Sequence, residues 1–340
     1  MDATESTTNG GLSLAPVSVT RPVPRRRRGV RRTDAVYHAV TLIASLGLVV
    51  ILAAVVMVLL STAWPAIGRL GLGVLGGTVW NPSLNLYGAL PFIAGTLITT
   101  ALALLIAVPI SLAIAILLQE YSPRPLATTL GIVIEVAAGV PTIVFGAWAL
   151  LSLVPWLRDT GEPAIAAALG WLPLFNPRDI RTGSGVFPAG LVLAAMVFPT
   201  IVAVTRNSFL STPLDIREAS LGLGATRWET ATRVVLRQAR PGVLGAIVLA
   251  CGRALGETIA VAYIIGNALQ FPRSLFDQGS TLSTELLNQV YGGGAIPGSL
   301  TTAALYELGI ILLVLALGTS LAGRLLTRRL AGATVVGGGR

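Results

Sequence analysis

Six apolar runs constrain this chain more than any other feature. They cover residues 39–63, 92–118, 128–156, 186–205, 242–267 and 302–323, and each reaches the roughly 20 residues that a helix needs to cross a bilayer core. In a lipid interior the backbone has no water to bond, so each run must satisfy its own N–H and C=O groups as a helix. Charge is scarce enough to agree: 11% of the 340 residues are charged, where a soluble domain carries about a quarter. The expected fold class is all-α, a polytopic membrane protein of six transmembrane helices.

The net charge of +9 could suggest nucleic-acid binding, but its distribution points elsewhere. Every basic residue is arginine, and a block of them (Arg25–Arg28, Arg31, Arg32) stands just before the first apolar run. With the N-terminus inside, eighteen arginines fall on cytoplasmic segments, five on outer loops, and Arg253 lies within a span. Basic residues concentrate on the cytoplasmic side of membrane proteins, so both termini are expected in the cytoplasm and no nucleic acid is expected as a partner. Residues 1–33 mix Thr, Ser, Gly, Pro and Arg without periodicity and are expected to form a disordered arm. Residues 34–330 are expected to form the six-helix transmembrane domain and 331–340 a flexible tail. The first run is too long for a signal segment and is expected to be retained.

Trp64, Trp80, Trp156 and Trp171 fall in the outer connections, where an indole at the membrane interface can be half wet. Pro109, Pro141 and Pro199 lie within or near spans; each frees a carbonyl four residues earlier, and a packing kink is the expected result. The lone Cys251 and lone His38 cannot build a disulfide or a Cys- or His-based metal centre. No metal or cofactor is expected on this chain. No G-x-x-x-x-G-K-[ST] loop occurs, so it has no nucleotide cradle of that kind and is not expected to be an enzyme.

The stretch between the fourth and fifth runs reads as a cytoplasmic helical hairpin over 212–240. Thr212-Pro213-Leu214-Asp215 places a capping hydroxyl, a proline and an acid at a helix start. Thr226-Arg227-Trp228-Glu229 reads as a capping box. Gly222 and Gly224 allow a tight turn between the two helices, and Pro241 is expected to close the second. Membrane spans tether both ends, which leaves no freedom to enter a DNA groove; docking to a cytoplasmic partner fits better.

These residues carry a resemblance. Glu218-Ala219-Ser220, three residues, Gly224, nine residues, then Val234-x-Leu236 resembles the EAA loop of bacterial ABC importer permeases. Ser220 stands for the usual Ala and Arg237 for the usual Pro. The resemblance implies that the loop is the coupling helix seated in an ATPase subunit, with Glu218, Ala219 and Ser220 at the contact and Gly224 at the turn.

Within the fifth run, Gly252-Arg253-Ala254-Leu255-Gly256-Glu257-Thr258 places ionisable groups in mid-membrane, where each costs about 2.5–3.5 kcal/mol on insertion scales. Arg253 cannot shed its charge. On a continuous helix Glu257 would lie one turn from it, and Gly252 and Gly256 would offer a close-approach face to another helix. One outcome is an internal ion pair that quiets Arg253. The other is that Arg253 draws an anion into a path, its planar fork matching a tetrahedral oxyanion, while Glu257 limits retention. Glu257 would also discriminate, since hydrogen phosphate can donate a proton to it and fully ionised sulfate cannot.

Gly252–Val261 with Ile265-Gly266-Asn267, Trp80-Asn81-Pro82, Gly88–Phe92, Ser274–Asp277 and Glu135–Pro141 are similar to the phosphate-specific permeases of that family. The resemblance covers nearly the whole chain after the arm. It implies a second permease subunit (PstA-like), two copies of an ATPase subunit (PstB-like) that hold the ATP and Mg, an external phosphate-binding protein (PstS-like), and a location in the bacterial inner membrane. Arg253, Glu257 and Thr258 then carry over as path residues, with Glu135 beside Pro141 as a further candidate; Glu307 is expected to snorkel to the interface. The sister PstA-like permease, a permease for another oxyanion such as sulfate, and an ion-coupled secondary transporter are the alternatives.

Overall fold

The structure, a computed structural model, describes residues 28–176 and 182–336, with side chains described for 34–176 and 182–329. Residues 1–27 of the expected arm and 337–340 of the expected tail lie outside these. The first helix, α1 (Arg28–Leu70), begins within the arm, and the last helix continues to Val336.

Two compact units are present, Met1–Val56 and Met57–Arg340. The described part of the first is the leading portion of α1. Its side chains are apolar on every face, with Ile43 69% and Ile51 65% exposed, a surface suited to lipid and not to water.

The second unit holds the end of α1, a short helical turn at Gly73–Gly76, and α2 (Leu90–Tyr121), α3 (Arg124–Ala138), α4 (Thr142–Leu169), α5 (Val186–Leu210), α6 (Leu214–Gly222), α7 (Arg227–Leu255), α8 (Ile259–Ala262), α9 (Leu282–Tyr291) and α10 (Leu300–Val336). Helices α2, α5 and α7 share a core rich in alanine, including Ala103, Ala107, Ala194, Ala246 and Ala250. Small side chains let helices approach closely where lipid supplies no hydrophobic drive. α10 packs along α7.

Among the described residues five helices are long and apolar enough to span a bilayer, and α3 with α4, bent by 89°, makes a sixth if counted as one span. The third run is therefore broken and not merely kinked. The helix stops at Ala138, Val140 N–H is left bonding the Ala137 carbonyl at 3.3 Å, and the chain resumes after Pro141. Pro109, Pro199 and Pro241 remain inside helices. Pro241 thus does not close the hairpin: the second helix runs straight on into the fifth span. A proline in a helix interior, which loses a donor and crowds the carbonyl four residues back, costs about 3 kcal/mol; here the helix continues with Ala239, Val243, Ala246 and Ala250 buried around it.

Trp80 also departs from expectation. It lies in a small antiparallel hairpin, β1 (Trp80–Asn81) with β2 (Leu86–Tyr87), and is only 4% exposed. It meets Tyr87 and Phe92 edge-on at 5.2 and 5.4 Å, so it belongs to the core, whereas Trp64, Trp156 and Trp171 are exposed.

Candidate functional site

The fifth run breaks at its charged motif. α7 ends at Leu255, Gly256 N–H bonds the Gly252 carbonyl at 3.3 Å, and the chain stays non-helical across Glu257 and Thr258 before the short α8. Beyond α8 it folds back through Gly266 and Asn267, both at positive φ. Hydrogen bonds from Gly279 N–H to Ile265 and from Gly185 N–H to Ile264, each 3.0 Å, fix the reversal. The expected single helical face is therefore absent, because glycine at 256 favours a helix end as readily as a packing face.

Arg253 and Glu257 consequently go separate ways. Arg253 is partly buried, and its Nη1 lies 3.5 Å from Thr200 Oγ1 on α5. Among the described residues no ion pair joins it to Glu257. Glu257 Oε1 accepts from Ala260 N–H at 3.4 Å, and its carbonyl accepts from Ser283 Oγ at 2.8 Å. Thr258 Oγ1 donates to the Gly256 carbonyl at 3.2 Å. An added Cβ at Gly252 would meet nothing within 4 Å, so the space in front of it is open.

Arg253 opens on a cavity of about 480 Å³ between α7 and α10. Arg324, Ser320 and Thr327 line it with Gly245 and Gly252, and among the described residues no carboxylate does. Two guanidinium groups and two hydroxyls are its polar groups, set in a lining that Val248, Leu249 and three glycines otherwise make apolar. Arg324 entered the sequence argument only as one of the cytoplasmic arginines; the helical register that brings α10 against α7 is what makes it a neighbour.

Glu135 lies elsewhere. Its carboxylate, 56% exposed, faces Arg206 Nη1 at 4.0 Å. The Arg206 guanidinium occupies the space above Gly131, where any Cβ would collide with it. Arg206 is six residues along α5 from Thr200, about 9 Å at helical rise, so Glu135 and Arg253 mark separate polar stations on that helix. Glu307 does not snorkel: it is 8% exposed, and its Oε2 has no partner. Sequence reasoning missed Glu285 on α9, outside the candidate spans, which is 1% exposed and accepts from Gln289 Nε2 at 2.7 Å. Burial pushes its carboxyl pKa up, and the Gln289 bond opposes the shift.

The hairpin forms with its turn as expected. Gly222 ends α6 and Gly224 turns the chain at φ +87°, a conformation that L side chains rarely adopt. Thr226 and Glu229 complete a capping box, with Glu229 N–H 3.2 Å from Thr226 Oγ1 and Thr226 N–H 3.1 Å from Glu229 Oε2. The start of α6 differs: Pro213 is the cap, and Thr212 is buried with its hydroxyl unpartnered. Glu218 and Ala219 are exposed, as are Leu214, Leu223 and Trp228. Ser220 turns inward to Thr230 Oγ1 at 3.0 Å, which gives the departure from Ala a structural use.

Residues 107–332 match the family described as binding-protein-dependent transport system inner membrane component. The chain is 38% identical to the phosphate transport system permease protein PstC of Mesorhizobium japonicum over 309 residues, covering 89% of this chain and 94% of that protein. It is 37% identical to PstC 1 of Mycobacterium tuberculosis over 272 residues, covering 79% and 80%. Among solved structures, a chain of a bacterial alginate ABC transporter in complex with an alginate pentasaccharide-bound periplasmic protein superimposes with a TM-score of 0.59 at 16% identity, over 90% of this chain and 98% of that one. That likeness supports the fold alone. With its broken fifth span, glycine-turned hairpin and these relatives, the chain belongs to the family of binding-protein-dependent transport system inner membrane components, as a relative of the PstC permeases.

Proposed function

We propose that this chain is one permease subunit of an ATP-driven importer of inorganic phosphate. It would form the path with a second permease, receive force from a separate ATPase, and take its cargo from an external binding protein. The arginine distribution supports an orientation with the hairpin and both termini in the cytoplasm.

One observation carries the phosphate reading. Arg253 is a permanent charge at a helix break, it faces a cavity with no carboxylate on its wall, and its one hydrogen-bond partner among the described residues is a hydroxyl. An arginine in a span is ordinarily neutralised by a carboxylate or by backbone carbonyls; this one is left to an anion. Its fork suits a tetrahedral oxyanion, and Ser320 and Thr327 add neutral donors that bind without trapping. Glu257 and Thr258 sit in the break itself. The exposed Leu223 and Trp228 on the hairpin suit a groove of an ATPase.

The test is uptake of labelled phosphate into vesicles carrying this chain with the partners that co-purify with it. Uptake should require ATP on the hairpin side and survive collapse of the proton gradient. Accumulation that persists without ATP and stops with the gradient would make the chain a secondary transporter instead.

A further inference from the structure

The hairpin helix α6 has no buried residue. Of its nine residues only Arg217 and Ser220, one turn apart, are even partly covered. Both are polar, and both are held by specific partners. Ser220 bonds Thr230 across the hairpin. Arg217 reaches further: its Nη1 pairs with Glu120 at the end of α2, and its Nη2 donates to the Phe209 carbonyl at the end of α5, 2.6 Å away. Arg217 and Glu120 are each only 12% exposed.

This is a poor way to gain stability. A buried ion pair roughly breaks even against apolar packing, and Arg217 Nε is buried with no acceptor. What the pair supplies is geometry. A planar fork bound at two points fixes direction as well as distance, and its two anchors are the ends of two different spans. Apolar side chains would let α6 slide over the same surface. Resting on the reading that the hairpin receives force from an ATPase, we propose that Arg217 and Glu120 form a strut that transmits displacement of α6 to α2 and α5. Arg217 is thus a positioning residue of the transport cycle. Its role is separate from that of Glu218 and Ala219, which face outward.

The readout is the number of ATP molecules hydrolysed per phosphate imported by the purified complex, with its melting temperature measured alongside. Arg217→Gln and Glu120→Gln should each raise that ratio about tenfold, within the range by which coupling residues act, while the ATPase still co-purifies. Each single change strands a buried charge and should lower the melting temperature; the double change removes both charges and should restore it. The strut requires that the double variant, stable again, remain uncoupled. If Arg217→Gln does not assemble, Arg217→Lys, which keeps the charge and loses the fork, should raise the ratio about threefold. A double variant that regains coupling together with stability would reduce the pair to a structural contact and overturn the proposal. So would an unchanged ratio in Arg217→Gln or Arg217→Lys with the ATPase bound. Failure of any ATPase to bind the unaltered chain would instead overturn the reading on which the strut rests.

Discussion

Two arginines on neighbouring stretches of this chain are treated in opposite ways. Arg217 in the hairpin is paired with Glu120 and with a carbonyl. Arg253 at the break in the fifth span has a threonine hydroxyl 3.5 Å away and a cavity in front of it. A protein that holds one guanidinium with a carboxylate and a carbonyl of its own has left the other to something it does not contain. Satisfaction marks a group that holds structure; its absence, where the cost is highest, marks a group that waits for a ligand.

The largest effect should come from removing the waiting charge. Arg253→Gln should lower ATP-dependent phosphate uptake at least about a hundredfold, the scale at which truncating one member of a buried charge pair acts. Assembly with the ATPase should persist, because the hairpin is untouched. Next comes selectivity: Glu257→Gln should raise sulfate entry relative to phosphate about tenfold, since it removes the carboxylate that accepts a proton from hydrogen phosphate and that sulfate, with none to donate, can only meet as a like charge. Unchanged competition by sulfate would end the role assigned to that carboxylate. A smaller effect belongs to Arg324, the second guanidinium of the cavity. Arg324→Gln should slow uptake about threefold and Arg324→Lys much less, as expected of an exposed charge that attracts without binding tightly.

The smallest concerns pH. Burial favours the neutral form of Glu285, so the folded chain keeps a proton that the unfolded chain releases above the ordinary carboxylate range. Stability therefore falls as pH rises from that range until the group ionises in the fold. In detergent, Glu285→Gln should raise the melting temperature at neutral pH by about 2–4 °C and flatten its decline with pH. A decline that is just as steep in the variant would assign the slope to other groups.

What the sequence revealed follows from how local each feature is. The capping box is a matter of four consecutive residues, Thr226 to Glu229, and could be read directly. So could the turn at Gly224, because few residues other than glycine take its φ. The breaks were harder. Pro109, Pro199 and Pro241 all stay within helices, and only Pro141, preceded by Gly139, ends one. Proline removes a single donor; whether the helix survives depends on what packs around it. Gly256 was misjudged for the same reason, since a glycine in an apolar run serves a close contact or a helix end equally well. The Arg217–Glu120 pair lies beyond such reading, because 97 residues separate its members and nothing short of the packing of α2 against the hairpin brings them together. The apolar runs, the hairpin and Arg253 were legible; the partners of each charge were not.

The central claim is that the side chain at position 253 faces an aqueous passage. Cys251 is the only cysteine in the chain, so Cys251→Ser gives a background in which Arg253→Cys carries the sole thiol. In the assembled complex that thiol should react with a charged, membrane-impermeant thiosulfonate from the aqueous phase, at a rate within about tenfold of that of a thiol placed at the exposed Leu223. Reaction only with a lipid-soluble maleimide, or with neither reagent, would put position 253 against lipid or inside sealed protein and contradict the account.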